Sequence, residues 1–331
     1  MSTQIKRHQV SVLNALLCLL VVFIHVSSES ITAADKDSWK TLLLYVPWIM
    51  SSFAMQGFVL LSGIKVFLKY NSDPFIYRKF LLDRSKRIIL PYLIWVVIYY
   101  LYFCHKALYI FSFPQLISSA LIGNMISPFY FIIVILQFYL LMPIWKKIIP
   151  AFHPCFVLPA ALLLTIVVRQ VIVSQYNDRV FTTYLIYWMA GCYIGSNYDE
   201  FIILLKKNRA FIYLMLIISG CLDLYCKLDQ RGRHDLHLFY SLSMLLCLIQ
   251  IAGYIKSVGM TKWVKKINDI SLGIFFSHSL FIYMINFYMS DIGIGKISIR
   301  FILRAVFVYS MSYLCCSFYK KTLGALTRRV C

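Results

Sequence analysis

The chain has 331 residues, 61% of them hydrophobic and only 14% charged, where a water-soluble chain carries about a quarter charged residues. That balance excludes a soluble globular protein. The net charge of +20 does not point to nucleic acid, because Lys and Arg gather in short segments between apolar runs, the pattern that orients membrane helices.

Ten apolar stretches follow in chain order, over residues 10–28, 42–64, 88–104, 128–145, 152–170, 180–197, 210–226, 236–255, 269–288 and 299–318. Each is long enough, or nearly so, to cross about 30 Å of hydrocarbon at about 1.5 Å per residue. The expected fold is all-α: a polytopic transmembrane bundle of about ten helices, forming one integral-membrane domain over 1–331. With the N-terminus in the cytoplasm and sides alternating, 22 of the 33 basic residues and five of the 13 acidic ones fall inside. The net charge is then +17 inside and +3 outside, which supports N-in and C-in. Most of the ten cysteines lie in apolar runs, with no CxxC pair and no Cys/His metal spacing, so they read as packing residues and no metal is expected. The first run is not followed by a small-residue cleavage site and reads as a retained helix. Loops are short, so chemistry is expected in or beside the membrane.

Five segments carry candidate chemistry. In "CLLVVFIHVSSES" (18–30), His25 closes an apolar run about 24 Å above the inner boundary. It is either an interfacial histidine satisfied by a carbonyl or water, or a general base, since neutral imidazole accepts protons near pH 7. In "GFVLLSGIKVFLKY" (57–70), Gly57, Ser62 and Gly63 form either a packing notch or part of a site beside Lys65 and Lys69. The 65–87 segment holds seven basic and two acidic residues. Arg84 and Arg87, three apart on a helix, are expected to share one face. This density suits an orienting loop, a polyphosphate group or anionic lipid. Pro91 and Tyr92 follow at a helix start. In "SPFYFIIVILQFYLLMPIW" (127–145), Gln137 is either interhelical glue or a substrate contact. In "ISLGIFFSHSLFIYMI" (270–285), His278 lies about 13 Å deep, as a satisfied core histidine or as part of a site.

In this order and at these spacings, the five segments resemble the bacterial membrane-bound acyltransferase family 3. "CLLVVFIH" matches the helix-1 histidine element at His25, and "GFVLLSG" matches a helix-2 element. Arg84, Arg87, Ile88, Pro91 and Tyr92 match an "RxxRI…PxY" element. Tyr130, Phe131, Tyr139 and Pro143 match an aromatic helix, and Ser271, Gly273, Ile274, Phe275 and His278 match a late histidine element, with Phe275 in place of the usual tyrosine. The resemblance covers most of the chain. It implies an O-acyltransferase of the bacterial plasma membrane, moving an acyl group, acetyl first, from acyl-CoA to a hydroxyl of a surface polysaccharide or a lipid-linked glycan. An exopolysaccharide is one such acceptor. His25 would be the base. Arg84, Arg87, Lys65, Ser62, Gly63 and Asn14 would hold the donor. Tyr92, Tyr130, Gln137, Tyr139 and His278 would line the channel or contact substrate. Acyl-CoA would be a co-substrate, with no cofactor bound; partners would be the glycan and membrane lipids, with no nucleic acid.

One departure matters: Asn14 stands where the family usually has arginine, eleven residues before His25. Eleven residues return to within about 20° of the same helix face, about 16.5 Å lower, so the two side chains line one channel without touching. The uncharged Asn14 keeps a non-catalytic partner of a polysaccharide synthase among the alternatives. A transporter of a glycan or lipid-linked substrate is the other.

Overall fold

Hydrocarbon offers no hydrogen bonds, so a chain with these runs satisfies its backbone by winding into helices. The computed structural model describes residues 3–32, 39–70, 75–171, 176–229, 234–255, 258–292 and 297–329, and these are helical almost throughout, with no strand among them. In chain order the helices are α1 (Thr3–Thr32), α2 (Trp39–Ser51), α3 (Ala54–Tyr70), α4 (Tyr77–Arg84), α5 (Leu90–His105), α6 (Phe113–Ile122), α7 (Tyr130–Leu140) and α8 (Met142–Ala151). There follow α9 (Pro154–Val171), α10 (Leu185–Ser196), α11 (Tyr198–Lys207), α12 (Arg209–Leu228), α13 (His234–Tyr254), α14 (Val258–Asp291) and α15 (Ile297–Arg329).

Among the described residues, eight helices are long and apolar enough to cross a membrane, and a ninth span arises if α6 and the 127–140 segment, bent by 56°, are taken together. This is a multi-pass membrane protein. The tenth apolar stretch, 180–197, is realised as a short 3-10 turn (Phe181–Tyr184) running into the 12-residue α10. At about 18 Å, α10 is short for a lipid-facing span. It is apolar all round and buried along nearly its whole length, as an interior helix is.

Two further departures have local causes. The 128–145 stretch is not one helix: α7 ends at Leu140 and α8 restarts with Pro143 in its first turn, where the missing N–H costs nothing. The preceding α6 stops on Gly123, whose φ of 72° is left-handed, the C-cap conformation glycine adopts without a Cβ clash.

The chain packs as two compact units, Met1–Met55 with Leu204–Cys331, and Gln56–Ile203. In the first, α1 packs on α2, α13, α14 and α15. Pairs of residues that rise together, Asn14 with Ser271, His25 with His278 and Glu29 with Asn286, show that α1 and α14 run parallel. Arg304 with Asn286 and Lys320 with Asp269 run oppositely, so α15 is antiparallel to α14. In the second unit α3 and α10 approach closely. A Cβ on Gly63 would lie 2.8 Å from the Trp188 carbonyl oxygen, and one on Gly195 2.7 Å from that of Ile64.

Candidate active site

In the first unit, α1 and α14 bring the two intramembrane histidines together. The His25 and His278 ring centroids are 5.3 Å apart with planes at 42°. His278 is fully buried, and its Nδ1–H donates to the Ile274 carbonyl one turn back at 3.0 Å. A carbonyl can only accept, so Nδ1 carries the proton and Nε2 is the lone-pair side. Ser279 Oγ lies 3.3 Å from that Nε2. His25 is half-buried, and α2 is tied to its level by Trp48, whose Nε1–H donates to the Ile24 carbonyl at 3.2 Å.

Asn14 lies below on the same helix and faces the same partner. Its Nδ2 donates to Ser271 Oγ at 2.8 Å, which donates to the Asn268 carbonyl at 2.9 Å. Above His25, the buried Arg304 of α15 reaches Val26 and Ser30 of α1, at 3.2 Å to the carbonyl and 2.9 Å to the hydroxyl. Its other guanidinium nitrogens meet Asn286 Oδ1 at 2.8 Å and Glu29 at 3.3 Å. A guanidinium is therefore fixed one turn beyond His25, although position 14 lacks one.

In the second unit, Ser62, Tyr139 and Arg84 come together. Ser62 Oγ and the Tyr139 hydroxyl lie 2.6 Å apart, and the Arg84 guanidinium sits 5.0 Å over the Tyr139 ring and 5.2 Å over Phe80. Lys65 follows Ser62 by one turn and is half-buried. Arg84 and Arg87 differ in burial and in local winding. Arg84 is the last residue of α4, half-buried under its rings, whereas Arg87 is exposed in a π-helical turn, Ser85–Ile89. Pro91 has no N–H to give the Arg87 carbonyl, so the ordinary ladder fails there. The winding widens instead, with the Leu90 N–H donating five residues back to Ser85. Such turns recur at functional sites.

Other expected residues are placed in packing roles. Gly63 forms a packing notch: α10 fills it, with Cys192 N at 3.0 Å from a built Cβ. Tyr92 is buried and donates to the Ala120 carbonyl at 2.7 Å. Gln137 spends both ends of its amide on one loop, donating to the Arg179 carbonyl at 2.7 Å and accepting from the Phe181 N–H at 3.0 Å. It acts as glue. Tyr130 shares a hydrogen bond with Tyr184. No group of three or more His, Cys, Asp and Glu side chains that could hold a metal occurs among the described residues.

Sequence reasoning missed one cluster in the first unit. Asp223 and Lys227 of α12, His237 and Ser241 of α13, and Ser52 between α2 and α3 meet in a single network. Asp223 stands in an apolar run, which was a signal. Its partner His237 lies 14 residues on, across a helix–helix connection that no periodicity spans.

These helices and the paired histidines fit a membrane-bound transferase. The family model described as Acyltransferase domain matches residues 7–320, and the chain belongs to the membrane-bound acyltransferase family 3. Among its relatives is YfiQ of Bacillus subtilis (strain 168), named a membrane-bound acyltransferase, which is 24% identical over 310 residues, 84% of this chain and 81% of that protein. Another, from Staphylococcus aureus (strain Mu50), is named a poly-beta-1,6-N-acetyl-D-glucosamine export protein, at 24% over 294 residues, 83% and 79% of the two chains. A Staphylococcus epidermidis protein of the same name is 25% identical over 292 residues, 83% and 78% of the chains. No solved structure matches.

Proposed function

We propose that the chain transfers an acyl group, most simply acetyl, from acyl-CoA to a hydroxyl of a cell-surface glycan or its lipid-linked precursor, with His25 as the general base. The observation that carries this reading is the His25–His278 pair at 5.3 Å inside a family-matched acyltransferase region. Neutral His25 takes the proton of the acceptor hydroxyl as its oxygen attacks the thioester carbonyl; the C–S bond breaks and the thiolate leaves. Such general base catalysis contributes about 10²–10⁴-fold. His278, its tautomer set by Ile274, holds the His25 ring by its face.

Arg84, Lys65 and Arg87 are assigned the donor's phosphates. The Arg84 guanidinium stands over the Tyr139 and Phe80 rings, and its fork of N–H donors suits phosphate oxygens; the names of the staphylococcal relatives support a glycan acceptor. Ser62 and Tyr139 steady Arg84, and Asn14 sits on the donor path in place of a charge. Residues 1–331 act as one domain, with α10 as the tenth crossing and both termini inside.

The test is His25→Ala in cells, with acylation of the surface glycan measured by mass spectrometry. Loss of acylation is expected, and undiminished acylation rejects the mechanism. The export names of relatives favour a second reading, transport of the glycan itself. Glycan movement across liposomes without any acyl donor would select it.

A further inference from the structure

A serine, a histidine and a carboxylate stand in line in the first unit, apart from the His25–His278 pair. Asp223 is almost fully buried in α12, and its Oδ2 lies 2.9 Å from His237 Nδ1 on α13. Lys227, one turn along from Asp223, places Nζ 3.1 Å from the same Oδ2 and 2.9 Å from His237 Nδ1. The ionised carboxylate takes both donors, Nδ1–H and the ammonium, whose nitrogens stand side by side on one oxygen without bonding each other. His237 then keeps its lone pair on Nε2. That nitrogen faces two hydroxyls, Ser241 Oγ at 3.2 Å and Ser52 Oγ at 3.4 Å.

The two serines differ in access. Ser241 is fully buried on the same helix and donates to the His237 carbonyl at 2.7 Å. Ser52 is half-buried in the two-residue break between α2 and α3, and Lys227 Nζ lies 3.3 Å from its oxygen. Its hydroxyl rests on the Ile49 carbonyl at 2.6 Å, so a rotation about its Cβ–Oγ bond turns the proton to Nε2 while Oγ stays in place. A nucleophile within reach of a base that a third group orients is the arrangement of covalent acyl transfer, and the spacing is commonly loose before substrate binds. Asp223 Oδ1 is buried without a hydrogen-bond partner, a sign that this carboxylate is kept for more than packing.

We propose that Ser52 is a nucleophile that carries an acyl group, with His237 as its base and Asp223 and Lys227 as positioning residues. The substrate class is an activated acyl carbonyl, a thioester or ester. Ser52 Oγ bonds to the carbonyl carbon as its proton passes to His237 Nε2. The C–S or C–O bond then breaks, and the thiol or alcohol leaves with that proton. A second hydroxyl, of an acceptor or of water, gives its proton to Nε2 and attacks the acyl-serine, which returns the proton to Oγ. This goes beyond the role given to His25 and rests on different residues.

The experiment uses the full chain in lipid nanodiscs with p-nitrophenyl acetate, followed by proteolysis and mass spectrometry. Neither CoA nor glycan takes part, so its failure is separable from failure of the His25 reading. The expected result is an acetyl group on the wild-type peptide carrying Ser52. Ser52→Ala and His237→Gln should lower the labelling rate by about 100-fold or more. Asp223→Asn should lower it comparably, with partial recovery in Asp223→Glu, which restores the carboxylate. Ser243→Ala, on α13 outside the cluster, should label at the wild-type rate. Release of p-nitrophenol with no acetyl on Ser52 overturns the proposal, as does an Ser52→Ala protein that is acetylated at the wild-type rate.

Discussion

In the unit formed by Met1–Met55 and Leu204–Cys331, helices meet through ionisable side chains: His25 with His278, Arg304 with Glu29, and Asp223 with His237 and Lys227. In Gln56–Ile203 they meet through glycines and rings. Gly63, Gly191 and Gly195 bring α3 and α10 backbone to backbone, and Phe138 stacks on Trp188 at 4.6 Å with planes 12° apart. Small-residue and ring contacts are how membrane helices associate without a hydrophobic drive between them. Buried charges are costly there and mark functional places. The contrast places the paired histidines and the buried ion pairs in the first unit. In the second, Arg84 stands over the faces of Tyr139 and Phe80.

Substitutions can break or sharpen this contrast. The largest effect is expected from His25→Ala, a fall of at least about 100-fold in glycan acylation with little change in thermal unfolding. A large stability loss would place His25 with the packing residues instead. Gly191→Ala should do the reverse in the second unit. Its Cβ would collide with the Leu60 carbonyl oxygen, and overpacking of this kind costs about 1–3 kcal/mol, read as a lower melting temperature in detergent. Arg84→Ala should raise KM for the acyl donor about tenfold, the scale of one charge-assisted contact at 1.5–3 kcal/mol or somewhat less. Arg87→Ala, at an exposed position, should raise it only about twofold. Equal effects would mean that the π-turn does not separate the two arginines. Asn14→Ala should cost about 1 kcal/mol of stability through the lost Ser271 bond, with KM for the donor measured alongside.

How much of this was legible in the sequence depended on distance along the chain. His25 and His278 stood out singly, because an ionisable residue in an apolar run is visible without knowing its partner. Their pairing was not visible, since the contact spans two helices far apart in sequence. Asp223 and Arg304 carried the same local signal, but His237, which explains the one, and Glu29 and Asn286, which explain the other, lie on other helices. Arg84 and Arg87 were visible as a pair, and an ideal helix put them on one face; the winding loosens at Ser85–Ile89, and Arg84 is half-buried where Arg87 is exposed. Helix ends followed local chemistry, as at Gly123 and Pro143, and the 128–145 stretch read as one span because hydropathy does not register a bend.

The parallel course of α1 and α14 bears on how the chain is made. Asn14 and Ser271 are 257 residues apart, and elongation runs at about 5–20 residues per second. Helix α1 therefore enters the membrane some tens of seconds, about 10–50, before α14 exists to meet it. During that interval Asn14 and His25 cross an apolar barrier without their native neighbours, while all of Gln56–Ile203 is synthesised. The first unit is thus closed last, by its C-terminal helices, and a truncation that removes α14 would leave α1 with α2 and α13 but without the partners of Asn14 and His25.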